Sequence, residues 1–262
     1  VGAELIGSET AEADAEIVLV AVEALKAAGV SELSVDLMVP PLVPTVLATL
    51  GLSAEREAQL RAAIDRKDIA AVETLAGDHA PVLSKLLGAT GQKDEALAVL
   101  HGLDLPADAH AALDRLTTVV ELIATAEPGL RVTLDPVENR GFEYHTGIAF
   151  SLFARGARGE MVRGEVGRGG RYRVNGGAET ATGFTLYIEM VLQALPDPIR
   201  RDTVFIPHGT PRDEAHAIGI AGHATVQGLA PVADAETEAR RLGCVFFWRD
   251  GKIAALASPS QT

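Results

Sequence analysis

The spacing of apolar residues changes near Leu130, and that change restricts the fold more than any other feature of the 262-residue chain. From Pro41 to Pro128 apolar side chains recur at helical spacing, and Gly, Pro, Asp or Ser marks each break. The spacing predicts helices over about 41–50, 53–65, 68–76, 80–88, 92–101 and 107–126. From Leu130 the chain reads as short strands instead. Val132–Leu134 and Gly147–Ala154 are the first two, and Gly159–Val166 is predicted as a paired strand after a turn. Gly183–Ile188 is a further strand that runs into a helix ending near Leu195. Ahead of the helical block, residues 11–28 form an amphipathic helix stopped by Gly29, and Ser34–Val39 alternates as a strand. Strands with helices segregated from them predict an α+β fold. The domain reading is a core over 1–195 that carries 41–128 as a helical insertion.

Pro196 and Pro198 mark a linker, and 202–262 reads as a small α/β unit. Its predicted elements are a strand at Thr203–Ile206, a helix over Arg212–Leu229 and a second helix over Ala235–Leu242. A hairpin follows, turning at Asp250-Gly251.

Charge divides along the same line as periodicity. The whole chain carries −13. Residues 1–130 hold 8 bases and 21 acids, whereas 131–262 hold 15 of each. An acidic chain has little to offer a phosphate backbone, which argues against nucleic acid as a partner. No apolar run approaches the ~18 residues of a membrane-crossing helix, and no basic n-region opens a signal peptide. The single cysteine, Cys244, excludes an internal disulfide and fits a cytoplasmic location.

Chemistry-bearing residues are concentrated after Glu138. There is no phosphate-binding G-x-x-x-x-G-K-[ST] loop and no G-x-S-x-G elbow. His208, His216 and His223 lack zinc-ligand spacing, so no metal is expected. Glu138–Gly147 brings a guanidinium, carboxylates, a phenol and an imidazole into a strand entry. Strand alternation would place Arg140, Phe142 and Tyr144 on one face and Glu143 and His145 on the other, unless Gly141 bulges. Arg155, Arg158, Arg163, Arg168, Arg171 and Arg173 form a basic series among Glu160 and Glu165. That series reads either as an anion site or as a set of salt bridges.

These segments resemble the class II histidyl-tRNA synthetase family. Arg140–Phe150 (RGFEYHTGIAF) is similar to that family's histidine-specific motif, and Gly169–Tyr172 (GGRY) to its glycine-rich strand turn. Ala181–Leu192 resembles motif 3, the strand–helix element, and Glu4–Gly7 the end of motif 2. The resemblance implies a class II synthetase-like antiparallel sheet with flanking helices. Family members carry roughly a further 100 residues before the position of Val1, a size within the domain-length range. The N-terminal part of the family core, with motif 1 and most of motif 2, is therefore expected to be missing here.

One departure redirects the function. The synthetases place an arginine on ATP phosphates and a small residue beside adenine in motif 3. Here Met190 and Tyr187 occupy those positions. A retained amino-acid pocket with a lost ATP site resembles the regulatory subunits of ATP phosphoribosyltransferase. That likeness implies a non-catalytic protein of histidine biosynthesis without a cofactor of its own. Its partner would be the short-form catalytic subunit, its effector L-histidine, and its state a homodimer within a hetero-oligomer. By the same resemblance the histidine contacts would be Glu4, Arg140, Tyr144, His145 and Tyr172, with His145 standing where the family has a tyrosine. The alternatives are a histidyl-tRNA synthetase with a divergent motif 3 and a synthetase-like sensor of tRNA.

Overall fold

The computed structural model describes residues 1–139, 141–142, 144–156, 162, 164–174, 177–196 and 202–256. Two compact units divide the chain, Val1–Pro196 and Asp197–Thr262. Among the described residues no helix is long and apolar enough to cross a membrane.

The first unit begins with β1 (Gly2–Ile6), α1 (Ala11–Ala27) and β2 (Leu33–Met38). The insertion follows as α2 (Leu42–Ala48), α3 (Ala54–Asp65), α4 (Ile69–Ala76), α5 (Ala80–Gly88), the two-residue β3 (Gly91–Gln92), α6 (Lys93–His101) and α7 (Ala107–Ala126). The unit closes with β4 (Arg131–Leu134), β5 (His145–Ala154), β6 (Gly167–Arg173), β7 (Thr180–Leu186) and α8 (Ile188–Ala194). Side-chain caps start several helices. Thr10, Ser53 and Asp68 accept from the amides of Ala13, Arg56 and Ala71, satisfying donors that the first helical turn leaves unpaired.

The sheet order is β1-β7-β6-β5-β2-β4-β3. All neighbours are antiparallel except β2 and β4, which run parallel because the whole helical insertion crosses between them. One apolar core lies under the sheet. Ile17, Val18, Val22 and Leu25 of α1 meet Leu116, Val120 and Ile123 of α7, together with Val35 and Leu37 of β2 and Phe150 of β5.

The strand predicted over Gly159–Val166 is instead β6, Gly167–Arg173. Residues 157–161 and 163 lie outside the described residues. Three glycines in seven residues read locally as a turn. In place they are required by close strand approach. A Cβ on Gly169 would lie 2.6 Å from the Phe150 ring, and one on Gly170 would lie 2.7 Å from the Ala149 Cα.

A buried ionic cluster fastens the helices to β6. Asp14, in the first turns of α1, and Arg171 of β6 are both fully buried. Arg171 donates from Nε to Asp14 Oδ1 at 2.9 Å, and from Nη1 to the Ser8 carbonyl at 2.6 Å and to Thr180 Oγ1 at 3.0 Å. Arg115 of α7 donates from Nε and Nη2 to Asp14 Oδ2 at 2.8 and 2.6 Å, and from Nη1 to the Glu9 carbonyl at 2.7 Å. One carboxylate therefore joins α1, α7 and the sheet.

The second unit has β8 (Thr203–Ile206), α9 (Arg212–Ile220), β9 (Ala224–Gln227), α10 (Ala235–Arg241), β10 (Phe246–Arg249) and β11 (Lys252–Ala255). Its sheet runs β11-β10-β8-β9, with β8 parallel to both of its neighbours. Phe205 and Phe247 pack with Ala239 and Cys244 on one side, and Val204 and Ile206 pack with Ile218 on the other. The helix predicted over Arg212–Leu229 ends nine residues earlier. Gly222, at φ +98°, turns the chain, and the β-branched pair Thr225-Val226 aligns beside β8. The hairpin turns at Asp250 and Gly251, both at positive φ (51° and 74°), the mirror-image turn that suits twisted strands.

The Asp14 carboxylate should be indispensable to the first unit. Asp14→Ala leaves two guanidiniums facing each other without a counter-charge, and should cost about 3–5 kcal/mol. Urea unfolding reads this as a lower midpoint. A loss below about 1 kcal/mol would show that the fold does not rest on the cluster.

Candidate functional site

Alternation along β6 sorts its side chains onto two faces. Arg168, Gly170 and Tyr172 face one side, and Gly169, Arg171 and Arg173 face the helices. Cross-strand register extends the first face. Gly170 lies opposite Gly183 of β7, and Gly183 lies opposite Glu4 of β1. Directly opposed residues share a face. The result is a glycine floor between Glu4 and β5.

The floor has to be glycine. A Cβ on Gly183 would sit 2.2 Å from Glu4 Oε2, and one on Gly170 would sit 2.6 Å from the His145 ring. The space that these glycines leave is a cleft of about 210 Å³, lined by Glu4, Tyr144, His145, Arg168, Tyr172 and Tyr187 around the glycines. Tyr172 donates its hydroxyl to Glu4 Oε2 at 3.1 Å. His145 is buried and donates Nδ1–H to the Phe142 carbonyl at 3.3 Å. Tyr144 stacks on His145 with ring centroids 4.0 Å apart and meets Tyr172 edge-on at 6.1 Å. The cleft thus offers a carboxylate at one end and aromatic surface at the other. That set suits a small ligand with a cationic donor and a flat ring.

Glu4, Tyr144, His145, Tyr172 and Tyr187 all meet at this cleft. Arg140 and Glu143 lie outside the described residues. The strand-entry alternation predicted for Glu138–Gly147 does not hold. Phe142 donates its amide to the Asn139 carbonyl and His145 to the Phe142 carbonyl, so the chain turns twice before β5 begins at His145. Turning brings Tyr144 and His145 to the same cleft. The irregularity in pairing falls between His145 and Ala149, not at Gly141.

Met190 sits away from the cleft lining. It is half-buried on α8 and packs against the main apolar core. Arg168 and Thr185 line the cleft as well, and the parity of Arg168 with Tyr172 on one strand is the sequence signal for the first of them. Arg168 is tied to Glu165 at 2.8 Å and lies 5.0 Å above the Phe142 ring. The basic series is accordingly absorbed into ion pairs at three described positions: Arg155 with Glu32, Arg168 with Glu165 and Arg171 with Asp14. Arg158 and Arg163 lie outside the described residues. Among the described residues no three His, Cys, Asp or Glu side chains form a metal-holding group. His223 lies edge-on to Phe246 instead, at 6.0 Å.

A model of the histidyl-tRNA synthetase family matches residues 1–191. The chain is 48% identical to an ATP phosphoribosyltransferase regulatory subunit of Rhodospirillum centenum, over 97% of this chain and 64% of that protein. It thus spans just under two thirds of the length of that relative. An ATP phosphoribosyltransferase regulatory subunit/histidyl-tRNA synthetase from Bacillus halodurans superposes with a TM-score of 0.71 at 25% identity, covering 92% of this chain and 65% of that one. A chain of an ATP phosphoribosyl transferase (HisG:HisZ) complex from Thermotoga maritima shares the fold, with a TM-score of 0.56 at 18% identity, covering 71% and 65%. The α+β, class II synthetase-like fold expected from the sequence is borne out.

Partial desolvation and the Glu4 carboxylate both push the Tyr172 phenol above its ordinary value. Desolvation does the same to Tyr144, with Arg168 opposing and Glu4 adding. Both phenols should therefore titrate above about 10. Their contribution to stability is present below the unfolded-state value and is lost as pH rises through the folded one. The chain has 3 tyrosines, so ultraviolet absorbance can follow them. Glu4→Gln should move both midpoints down toward the ordinary value, that of Tyr172 more because it also loses the charge-assisted hydrogen bond. An unchanged titration would mean that Tyr172 and Glu4 do not interact in solution.

Proposed function

The chain belongs to the histidyl-tRNA synthetase family, its relatives at 38–50% identity are ATP phosphoribosyltransferase regulatory subunits, and we propose that it serves as such a subunit. In this reading it is non-catalytic, acts in the cytoplasm with a short-form catalytic partner, and activates that partner in the first step of histidine biosynthesis. L-Histidine bound to the chain mediates feedback. The Thermotoga maritima neighbour comes from a complex of this kind.

The observation that carries the reading is a polar cleft kept beside an apolar motif 3. Glu4, Tyr172, Tyr144 and His145 converge on one cleft. The synthetase pattern needs an arginine on ATP phosphates at the position of Met190, which here packs against the core. A thioether supplies neither charge nor a forked donor for phosphate. Tyr187 lines the cleft where the family has a small residue for adenine. Histidine would place its ammonium or ring nitrogen on Glu4 and its ring against Tyr144 and His145, with its carboxylate toward Arg140. Intact, the protein would act as a homodimer within a hetero-oligomer, as the family resemblance implies.

Regulation requires that histidine bind two states of the complex unequally. Reconstitution tests this directly. The intact protein added to a short-form catalytic subunit should raise phosphoribosyltransferase activity, and histidine should suppress it. Glu4→Ala should weaken histidine binding at least ten-fold by calorimetry, because the ligand's charged donor loses its partner. Histidine-dependent ATP–pyrophosphate exchange by the intact protein would overturn the reading in favour of a synthetase.

A further inference from the structure

A second cavity of about 240 Å³ lies on the helix-covered face of the same sheet, lined by Glu9, Arg115, Thr146, Arg171, Arg173 and Thr180 among others. It is distinct from the Glu4 cleft, because Arg171 and Arg173 alternate with Tyr172 along β6 and point to the opposite face. We propose that this cavity binds a small oxyanion, a phosphate or a carboxylate.

Charge is unbalanced around the buried Asp14–Arg171 pair. Asp14 is the single carboxylate shared by Arg115 and Arg171, and both of its oxygens are occupied. The remaining charge of the three groups is +1. Arg173 lies two residues beyond Arg171 and adds another positive charge, and among the described residues no ion pair to it is formed. Glu9 is the one carboxylate in the lining. Counting Arg115, Arg171, Arg173, Asp14 and Glu9 leaves a net +1. Arg171 is buried and the Arg115 side chain only 27% exposed, so the excess charge they share over Asp14 is screened less than a charge on an open surface, while Arg173 and Glu9 stand exposed at the rim.

Donors and size agree with a small ligand. Arg171 spends its guanidinium on Asp14, Ser8, Thr10 and Thr180. Arg115 spends Nε and Nη2 on Asp14 and Thr10 and one Nη1 hydrogen on the Glu9 carbonyl. A guanidinium has five N–H donors, so Arg115 retains one on Nη1. The Arg173 fork and the Thr146 hydroxyl supply the others. A volume of 240 Å³ is below the range for drug-sized ligands and holds a small ion with its waters. Glu9 opposes a second negative charge and so favours a monoanion.

Calorimetric titration of the intact protein with inorganic phosphate, and separately with acetate, tests the proposal at constant ionic strength. Saturable one-to-one binding of at least one probe is expected, and the preferred probe identifies the source chemistry. Arg173→Ala should weaken it at least ten-fold and Arg173→Glu should abolish it. Arg241→Ala, an exposed arginine of α10, should leave it unchanged. Glu4→Ala should also leave it unchanged, which separates this site from histidine binding. Absence of saturable binding by either probe, or equal affinity in Arg173→Ala, would overturn the proposal.

Discussion

Asp14 is the pivot of the first unit. Its two oxygens accept from Arg115 on α7 and Arg171 on β6, while both arginines also hold backbone carbonyls at Ser8, Glu9 and Thr10. Desolvating three charges is costly, and apolar substitutes often match the stability of such a set. What the cluster adds here is position. It fixes the segment between β1 and α1 against β6, and with it the height of Glu4 above the glycine floor. It also sets the register in which the longest insertion helix meets the sheet.

The two faces of one sheet carry two different environments, and a period of two produces both. Odd positions 169, 171 and 173 of β6 meet helices and charge, whereas even positions 168, 170 and 172 meet the cleft. A one-residue slip in β6 would exchange them. Gly170 and Gly183, opposite each other, are where the sheet gives up side-chain volume so that Glu4 and His145 can lie flat on it. The cleft geometry therefore depends on residues that have no side chain of their own.

How much was legible varied with how local the signal was. The insertion helices α3 to α7 were readable because each has its own apolar spacing, and a cap or breaker at its start. The gathering of Glu4, Tyr144, His145 and Tyr172 rested on family resemblance, since nothing in the spacing of residue 4 and residue 172 brings them together. The β6 strand is not legible locally, because GRGGRYR has little strand propensity of its own and is held by neighbours on both sides. The end of the helix that starts at Arg212 is not legible locally, because alanine and glycine carry weak, ambiguous period, and β9 is stabilised by pairing with β8. Arg171 read as a candidate anion ligand and is in fact the buried partner of an aspartate 157 residues away.

By itself, the sequence determined the α+β class, the helical insertion, the strand–helix form of 180–194 and the absence of arginine at Met190. These are properties of local period and residue identity, which the chain carries wherever it goes. Tertiary structure alone decided which arginines are consumed internally, which glycines form the cleft floor and that Tyr144 and His145 share one side of it. Those outcomes depend on register between strands far apart in sequence, and register is set by packing and shared charge across the sheet.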